Sequence, residues 1–263
     1  MGISHGSLDH IKGREVLSFY KINNILFFYI SYIAISIFIL IFWLFMPNIT
    51  LLIFLLVASY HFGKEDSEIM DPHESILLKF IFFIKGSLII SSPLFFQFKE
   101  TIVIFELLNF NVDHLIFLND EGIIRIFFYS GLLSNVYFLI EKESKRNNSW
   151  FIFFDLFSIN LLYYFLSPLV AFTLYFCFIH SFRHSVSLIN QLDKNNFNKG
   201  FKRFFIKALP LTVITAILFL FAVYFLKNYY ILDEAISKVI FIGLASLTFP
   251  HILLEYLLKK NEK

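Results

Sequence analysis

Hydrophobic residues run through this chain in long, nearly unbroken stretches, and the polar residues gather between them. Apolar segments lie near 22–46, 75–96, 122–140, 150–167, 168–186, 204–226 and 235–258, with a shorter one at 49–62. A helix rising 1.5 Å per residue needs about 20 apolar residues to cross a bilayer. The pattern therefore predicts an all-α fold, a polytopic membrane helix bundle of about eight transmembrane helices. From Gln97 to Glu121 it is broken by Glu106, Asn109, Asn111 and Asp113, which predicts an interfacial helix or loop. The first fourteen residues mix polar and charged groups and offer neither an apolar core nor a small-residue cleavage site, so no signal peptide is expected. With no internal repeat, Pro/Gly linker or low-complexity segment, 1–263 is expected to be a single integral-membrane domain.

Composition supports the membrane reading. The chain is 58% hydrophobic and 16% charged, against about 45–50% and about 25% in soluble domains. That excludes a disordered tail, a coiled coil and an ordinary cytosolic enzyme. The net charge of +2 comes with no basic block able to neutralise a run of phosphates, so membrane lipid is an expected partner and nucleic acid is not. In an eight-span arrangement fourteen lysines and arginines, from Lys12 to Lys263, fall on one side of the membrane, and only Lys99 and Lys227 on the other. This bias predicts that both termini are cytoplasmic. The 38 phenylalanines invite comparison with a polyene tunnel, but Phe, Ile, Asn and Lys share A/T-rich codons, and nucleotide bias at lipid-facing positions accounts for them. A single cysteine, Cys177, excludes an intrachain disulfide and a cysteine-based metal cluster. Any metal must be held by histidine or carboxylate.

Eight histidines are present, and an imidazole within an apolar segment is costly without a partner. In the predicted topology six of them, His5, His10, His61, His180, His184 and His251, fall on the cytoplasmic side of the membrane, contributed by four separate segments. His180 and His184 are four residues apart, a spacing that puts two imidazoles on one helical face. Three or four neutral imidazoles suit Fe, Zn, Cu or Ni and leave coordination positions open.

Four segments then become familiar: His5-Gly6-Ser7-Leu8-Asp9-His10, His61-Phe62-Gly63, Phe176 to His184, and Phe241 to His251 ending in Phe249-Pro250-His251. In this order, over residues 2 to about 255, they resemble the signature stretches of the Brp/Blh family of bacterial and archaeal β-carotene 15,15'-dioxygenases. The resemblance implies a multi-pass enzyme of the bacterial cell (inner) membrane. Such an enzyme binds Fe(2+) through four histidines and uses O2 to split β-carotene at its central C15–C15' bond into two molecules of all-trans-retinal. A functional link to a microbial rhodopsin that receives the retinal would follow. Carried over by motif, the iron ligands fall on His5, His61, His180 and His184, with His10 ranked below His5; no catalytic residue is expected beyond the ligands. Ligating histidines commonly give their second ring N–H to a carboxylate, which makes His10, His251, Asp9, Glu65, Asp66 and Glu255 candidates for orienting the ligands or lining the pocket. Family members usually carry an apolar segment before the first motif, whereas four residues precede His5 here; the expectation is a late-annotated start or a missing first span.

Other marked residues read more plainly. His73 and His114 belong to loops, Arg183 is placed to snorkel toward headgroups, Pro210 and Pro250 are expected to bend their spans, and Asp155 needs a partner such as Asn160 or water. Rival classes fit less well. Membrane di-iron hydroxylases and desaturases use adjacent His-His pairs, and none is present. A retinal-binding photoreceptor needs a lysine in the middle of the last helix, whereas Lys238 lies near that helix's far-side entrance. A metal or solute transporter should carry ligands on both halves of the membrane.

Overall fold

The structure is a computed structural model that describes residues 6–67, 75–111, 121–140 and 148–261. The described residues contain no strand and are almost entirely helical: α1 (Asp9–Phe19), α2 (Leu26–Phe45), α3 (Pro47–Glu65), α4 (Ile76–Phe96), α5 (Phe98–Leu107), α6 (Glu121–Ile140), α7 (Asn148–Phe165), α8 (Pro168–Leu174), a π-helical turn (Tyr175–His180), α9 (Ser181–Leu192), α10 (Phe197–Leu226) and α11 (Leu232–Asn261). Every apolar segment of the sequence is helical, and the protein is an all-α membrane protein. Among the described residues five helices, α2, α4, α6, α10 and α11, are long and apolar enough to cross a bilayer. The remaining apolar segments depart from the simple pattern. α3 ends in Tyr60, His61, Lys64 and Glu65, α7 has a shorter apolar stretch at Trp150–Phe165, and 168–186 is divided among α8, the π turn and α9. α1, which no hydrophobic periodicity announced, and the short α5 complete the helices.

The chain divides into two compact units, one of residues 1–47 and 181–263, the other of residues 48–180. In the first unit, Val16 of α1 packs on Leu254 and Leu258 of α11, with Phe28 of α2 against them. A second cluster joins Leu8, just ahead of α1, to Leu188 and Ile189 of α9 and to Phe204 and Ala208 of α10. The N-terminal motif is thus anchored by its leucine. The most apolar stretch of α10 has no buried residue; Val213, Ile217, Leu220 and Phe221 face outward, as suits a helix whose solvent is lipid. Pro210 and Pro250 lie inside continuous helices. Lys238 is buried, with its Nζ 3.3 Å from Glu234 Oε1 on the same helix, an arrangement that neutralises its charge locally.

In the second unit α3 and α4 cross at two glycines. A Cβ added to Gly63 would overlap the Phe82 carbonyl oxygen, and one added to Gly86 would overlap the Ser59 carbonyl oxygen. Only hydrogen at both positions lets the backbones approach so closely. Phe82 stacks on Phe138 of α6 at 5.7 Å, and Ile152 of α7 closes that cluster. Gln97 donates to the carbonyl oxygens of Tyr163 (2.8 Å) and Leu166 (2.6 Å), tying the end of α4 to the end of α7. Asp155 is buried in α7; Asn160, named with water as a candidate partner, gives its side-chain N–H to the Leu156 carbonyl of its own helix.

Candidate metal centre

Within the 48–180 unit the candidate ligands gather where α3 ends and the π turn ends. His61 and Glu65 are four residues apart in the last turns of α3, so both project from one face. His180 closes the π turn, 1% exposed. The His61 and His180 rings meet edge to face with centroids 5.5 Å apart, and Phe62 presses its ring edge to face against His180 at 4.7 Å. Both Nε2 atoms lie 3.9 Å from the same Glu65 Oε2. That is too long for a hydrogen bond. Two donors bound to one ion at about 2.1 Å each can, however, lie up to about 4.2 Å apart, so each imidazole nitrogen is spaced to share a cation with the Glu65 oxygen.

The far side of the His180 ring shows how it is held. Nδ1 lies 2.9 Å from Asp66 Oδ1; facing a carboxylate it donates its hydrogen, which leaves the lone pair on Nε2 toward His61 and Glu65. Asp66 is buried just past α3, and its other oxygen accepts from the Tyr175 hydroxyl. Tyr175 and His180 are the first and last residues of the π turn. Five residues per bonded loop, in place of four, turn both side chains toward one carboxylate. The sequence marked His61, His180, Glu65 and Asp66 but not Tyr175, because regular helical spacing gives no reason to pair positions five apart.

The other unit holds a second arrangement of the same type. His251, 2% exposed in α11 directly after Pro250, has its Nδ1 2.9 Å from both oxygens of Asp9, the first residue of α1. Tyr32 of α2 donates to Asp9 Oδ2 at 2.9 Å, with the Leu247 carbonyl oxygen 3.2 Å away as a second acceptor. Burial alone would raise the Asp9 carboxyl, but the neighbouring His251 and Lys12 and the hydrogen bonds from His251 and Tyr32 outweigh it and hold the group below the ordinary carboxylate range. His184, in the first turn of α9, is half-buried and meets His251 edge to face at 5.9 Å. Glu255, one helical turn beyond His251, forms an ion pair with Lys12 of α1, and Asp9 takes the His251 Nδ1. His10 gives its Nδ1–H to the Ser7 carbonyl at 3.1 Å. Sequence reading also missed Tyr32, which lies within a segment read only as a transmembrane span.

His5, His73 and His114 lie outside the described residues. An open apolar groove of about 520 Å3 in the 48–180 unit, lined by residues such as Phe96, Leu132, Phe153 and Tyr164, contains none of the candidate histidines. The donor set of imidazoles and carboxylates, with imidazoles oriented through Nδ1, fits a divalent first-row metal.

Comparison with known proteins agrees with this chemistry. A family model described as Beta-carotene 15,15'-dioxygenase matches residues 1–259. The Beta-carotene 15,15'-dioxygenase of Uncultured marine bacterium 66A03 is 30% identical over 264 aligned residues, covering 97% of this chain and 88% of the relative. No solved structure matches. A helical membrane chain with carboxylate-oriented histidines, matched along nearly its whole length by one family of oxidoreductases, belongs to the β-carotene 15,15'-dioxygenases.

Proposed function

We infer that the protein is an Fe(2+)-dependent enzyme of the bacterial cell inner membrane, working as one domain over 1–263 with both termini in the cytoplasm. Its reaction is cleavage of the central C15–C15' double bond of β-carotene by O2, giving two molecules of all-trans-retinal. Each oxygen atom of O2 ends in one aldehyde, so no further reductant is consumed. The observation that carries the reading is the Asp66–His180–His61 cluster beside Glu65, in a chain whose relative is named for this reaction. The iron ligands are His5, His61, His180 and His184, a set assigned by motif. Bound Fe(2+) supplies the activation of O2.

The protein's own contribution is to orient and to exclude. Asp66 fixes the His180 tautomer, so that Nε2 is the ligating nitrogen. Glu65 brings a negative charge to the cation, which four neutral imidazoles would leave uncompensated. Phe62, Tyr175 and Phe176 wall the His180 ring with aromatic surface, and a water-poor site protects reactive carbon intermediates. β-Carotene dissolves in the bilayer and can reach such a site laterally; retinal leaves by the same phase, where a microbial rhodopsin could take it up.

Expression in a β-carotene-making bacterium tests the reading. Loss of orange colour with accumulation of retinal is expected from the wild-type chain, and retention of colour with no retinal would overturn it. Normal cleavage by a folded His184→Ala variant would remove the four-histidine assignment.

A further inference from the structure

The first unit contains a buried histidine that the four-ligand reading does not use. His251 is built as a ligand is built. Its Nδ1 faces both oxygens of Asp9 at 2.9 Å, that carboxylate is itself fixed by the Tyr32 hydroxyl at 2.9 Å, and the ring is 2% exposed. Donation of Nδ1–H to a carboxylate leaves the lone pair on Nε2 and makes that nitrogen more basic. Keeping an imidazole and a carboxylate buried this way costs desolvation free energy on both partners. The fold nevertheless commits three helices to the arrangement, α1 through Asp9, α2 through Tyr32 and α11 through His251.

The second observation is the position of His184. Two imidazoles bound to one ion through nitrogens about 2.1 Å from it place their ring centroids about 4.6–6.4 Å apart, for N–metal–N angles from a right angle to a straight line. His184 and His251 are 5.9 Å apart and nearly perpendicular, within that window, as are His61 and His180 at 5.5 Å in the other unit.

We propose that His251 is a further imidazole ligand to the metal that His184 holds, with Asp9 and Tyr32 as its positioning residues. The inference rests on the proposed metal-dependent function and deepens it. His251 then stands beside His184 as an imidazole donor from the same unit. This ligation also gives the Asp9 of the first motif and the Pro250-His251 of the last one a shared purpose. Pro250 has no N–H to give to the carbonyl four residues earlier, so the helix that carries His251 has a loosened bond one residue before the ligand.

The test uses the full chain in detergent, stripped of metal and titrated with Co(II), read by the visible d–d spectrum and the dissociation constant. For His251→Ala a rise in the Co(II) dissociation constant of about 100-fold or more and an altered spectrum are expected, since changing even an outer partner of a ligand costs about 10–100-fold. Exogenous imidazole should restore the spectrum. Asp9→Asn and Tyr32→Phe keep the shape of their sites and should also weaken Co(II), Asp9→Asn by about 10–100-fold and Tyr32→Phe by less. If His251→Ala does not fold, these two variants decide: wild-type affinity and spectrum in both would overturn the proposal. A folded His251→Ala with wild-type affinity and spectrum, alongside a His180→Ala that has lost them, would overturn this inference and leave the proposed function standing. A wild-type chain that binds no Co(II) or Fe(II) would overturn both.

Discussion

Asp66 in one unit and Asp9 in the other each accept hydrogen bonds from one tyrosine hydroxyl and one histidine Nδ1, yet the two triplets are assembled in opposite ways. Tyr175 and His180 reach Asp66 from a single π turn, so one local backbone irregularity fixes both partners at once. Tyr32 and His251 reach Asp9 from α2 and α11, 23 and 242 residues away in sequence. The second triplet exists only when three helices are already packed, whereas the first needs one turn and the end of α3. Identical chemistry thus rests on one tertiary contact, between α3 and the π turn, in one unit and on the packing of three helices in the other.

The sharpest way to break this symmetry is to delete each acid. Asp66→Ala strips a buried ring and a buried hydroxyl of their acceptor, at about 1–3 kcal/mol for each group left unsatisfied, and removes the orientation of a proposed ligand. A loss of about 10–100-fold in metal affinity is expected, with a clear drop in melting temperature. Asp9→Ala should cost a similar factor in metal affinity but less stability, because the Lys12–Glu255 ion pair and the Val16–Leu254–Leu258 cluster still join α1 to α11. Metal titration and thermal melts of the two variants side by side check this; equal losses of stability would refute the contrast.

Glycines give a second contrast. Gly63→Ala drives a methyl into the Phe82 carbonyl, a backbone atom that cannot move aside, whereas Gly13→Ala meets the ring of Phe28, a side chain that can rotate. Overpacking of this kind costs about 1–3 kcal/mol. Gly63→Ala should lie at the upper end and should also disturb His61 and Asp66, which flank it in sequence; Gly13→Ala should lie at the lower end. Melting temperatures order the pair.

How much of this was legible beforehand depends on the range over which each feature is determined. The apolar segments announced their helices because lipid exposure needs only local composition, as on α10. His61, His180 and Asp66 were marked by residue type and motif. The π turn was not, because replacing four-residue by five-residue bonding leaves no trace in a hydropathy pattern, and Tyr175 was lost with it. Glu255 was marked as a site candidate and Asn160 as one possible partner of Asp155, but the sequence could not show that Glu255 pairs with Lys12 or that Asn160 donates to the Leu156 carbonyl. Such choices are settled by which acceptor is nearest in the packed structure. Helix α1 was hidden by a low apolar content and by Gly13, a poor helix former against which the Phe28 ring packs.

The tyrosines test the same contrast on a finer scale. Tyr175→Phe removes the sole hydroxyl contact described between the π turn and Asp66, and a hydrogen bond to a charged acceptor is worth about 1.5–3 kcal/mol. Tyr32→Phe removes a hydroxyl that divides itself between Asp9 and the Leu247 carbonyl, and Asp9 keeps His251 and Lys12 nearby. The stability loss should therefore be larger for Tyr175→Phe, as read from denaturation midpoints of the two variants.

The smallest effect expected is on pH dependence, and it belongs to the first unit alone. His10 follows Asp9, and its pKa lies below the ordinary 6.5 because burial disfavours the imidazolium; the nearby Arg14 and Lys207 add to this, while the Ser7 carbonyl and Asp9 oppose it without reversing it. A histidine whose folded pKa is depressed binds its proton first in the unfolded chain. The stability it contributes is complete above pH 6.5 and declines as pH falls from there through the folded-state pKa. Below that pKa both states are protonated and the dependence ends. His10→Gln keeps a side chain able to donate to Ser7 but cannot titrate, so it should flatten the fall in melting temperature below pH 6.5 while leaving metal affinity unchanged. Melts of wild type and His10→Gln at half-unit steps of pH decide the matter. Parallel curves would assign the acid sensitivity to another group, and a loss of Co(II) binding in His10→Gln would place His10 nearer the metal than its bond to Ser7 implies.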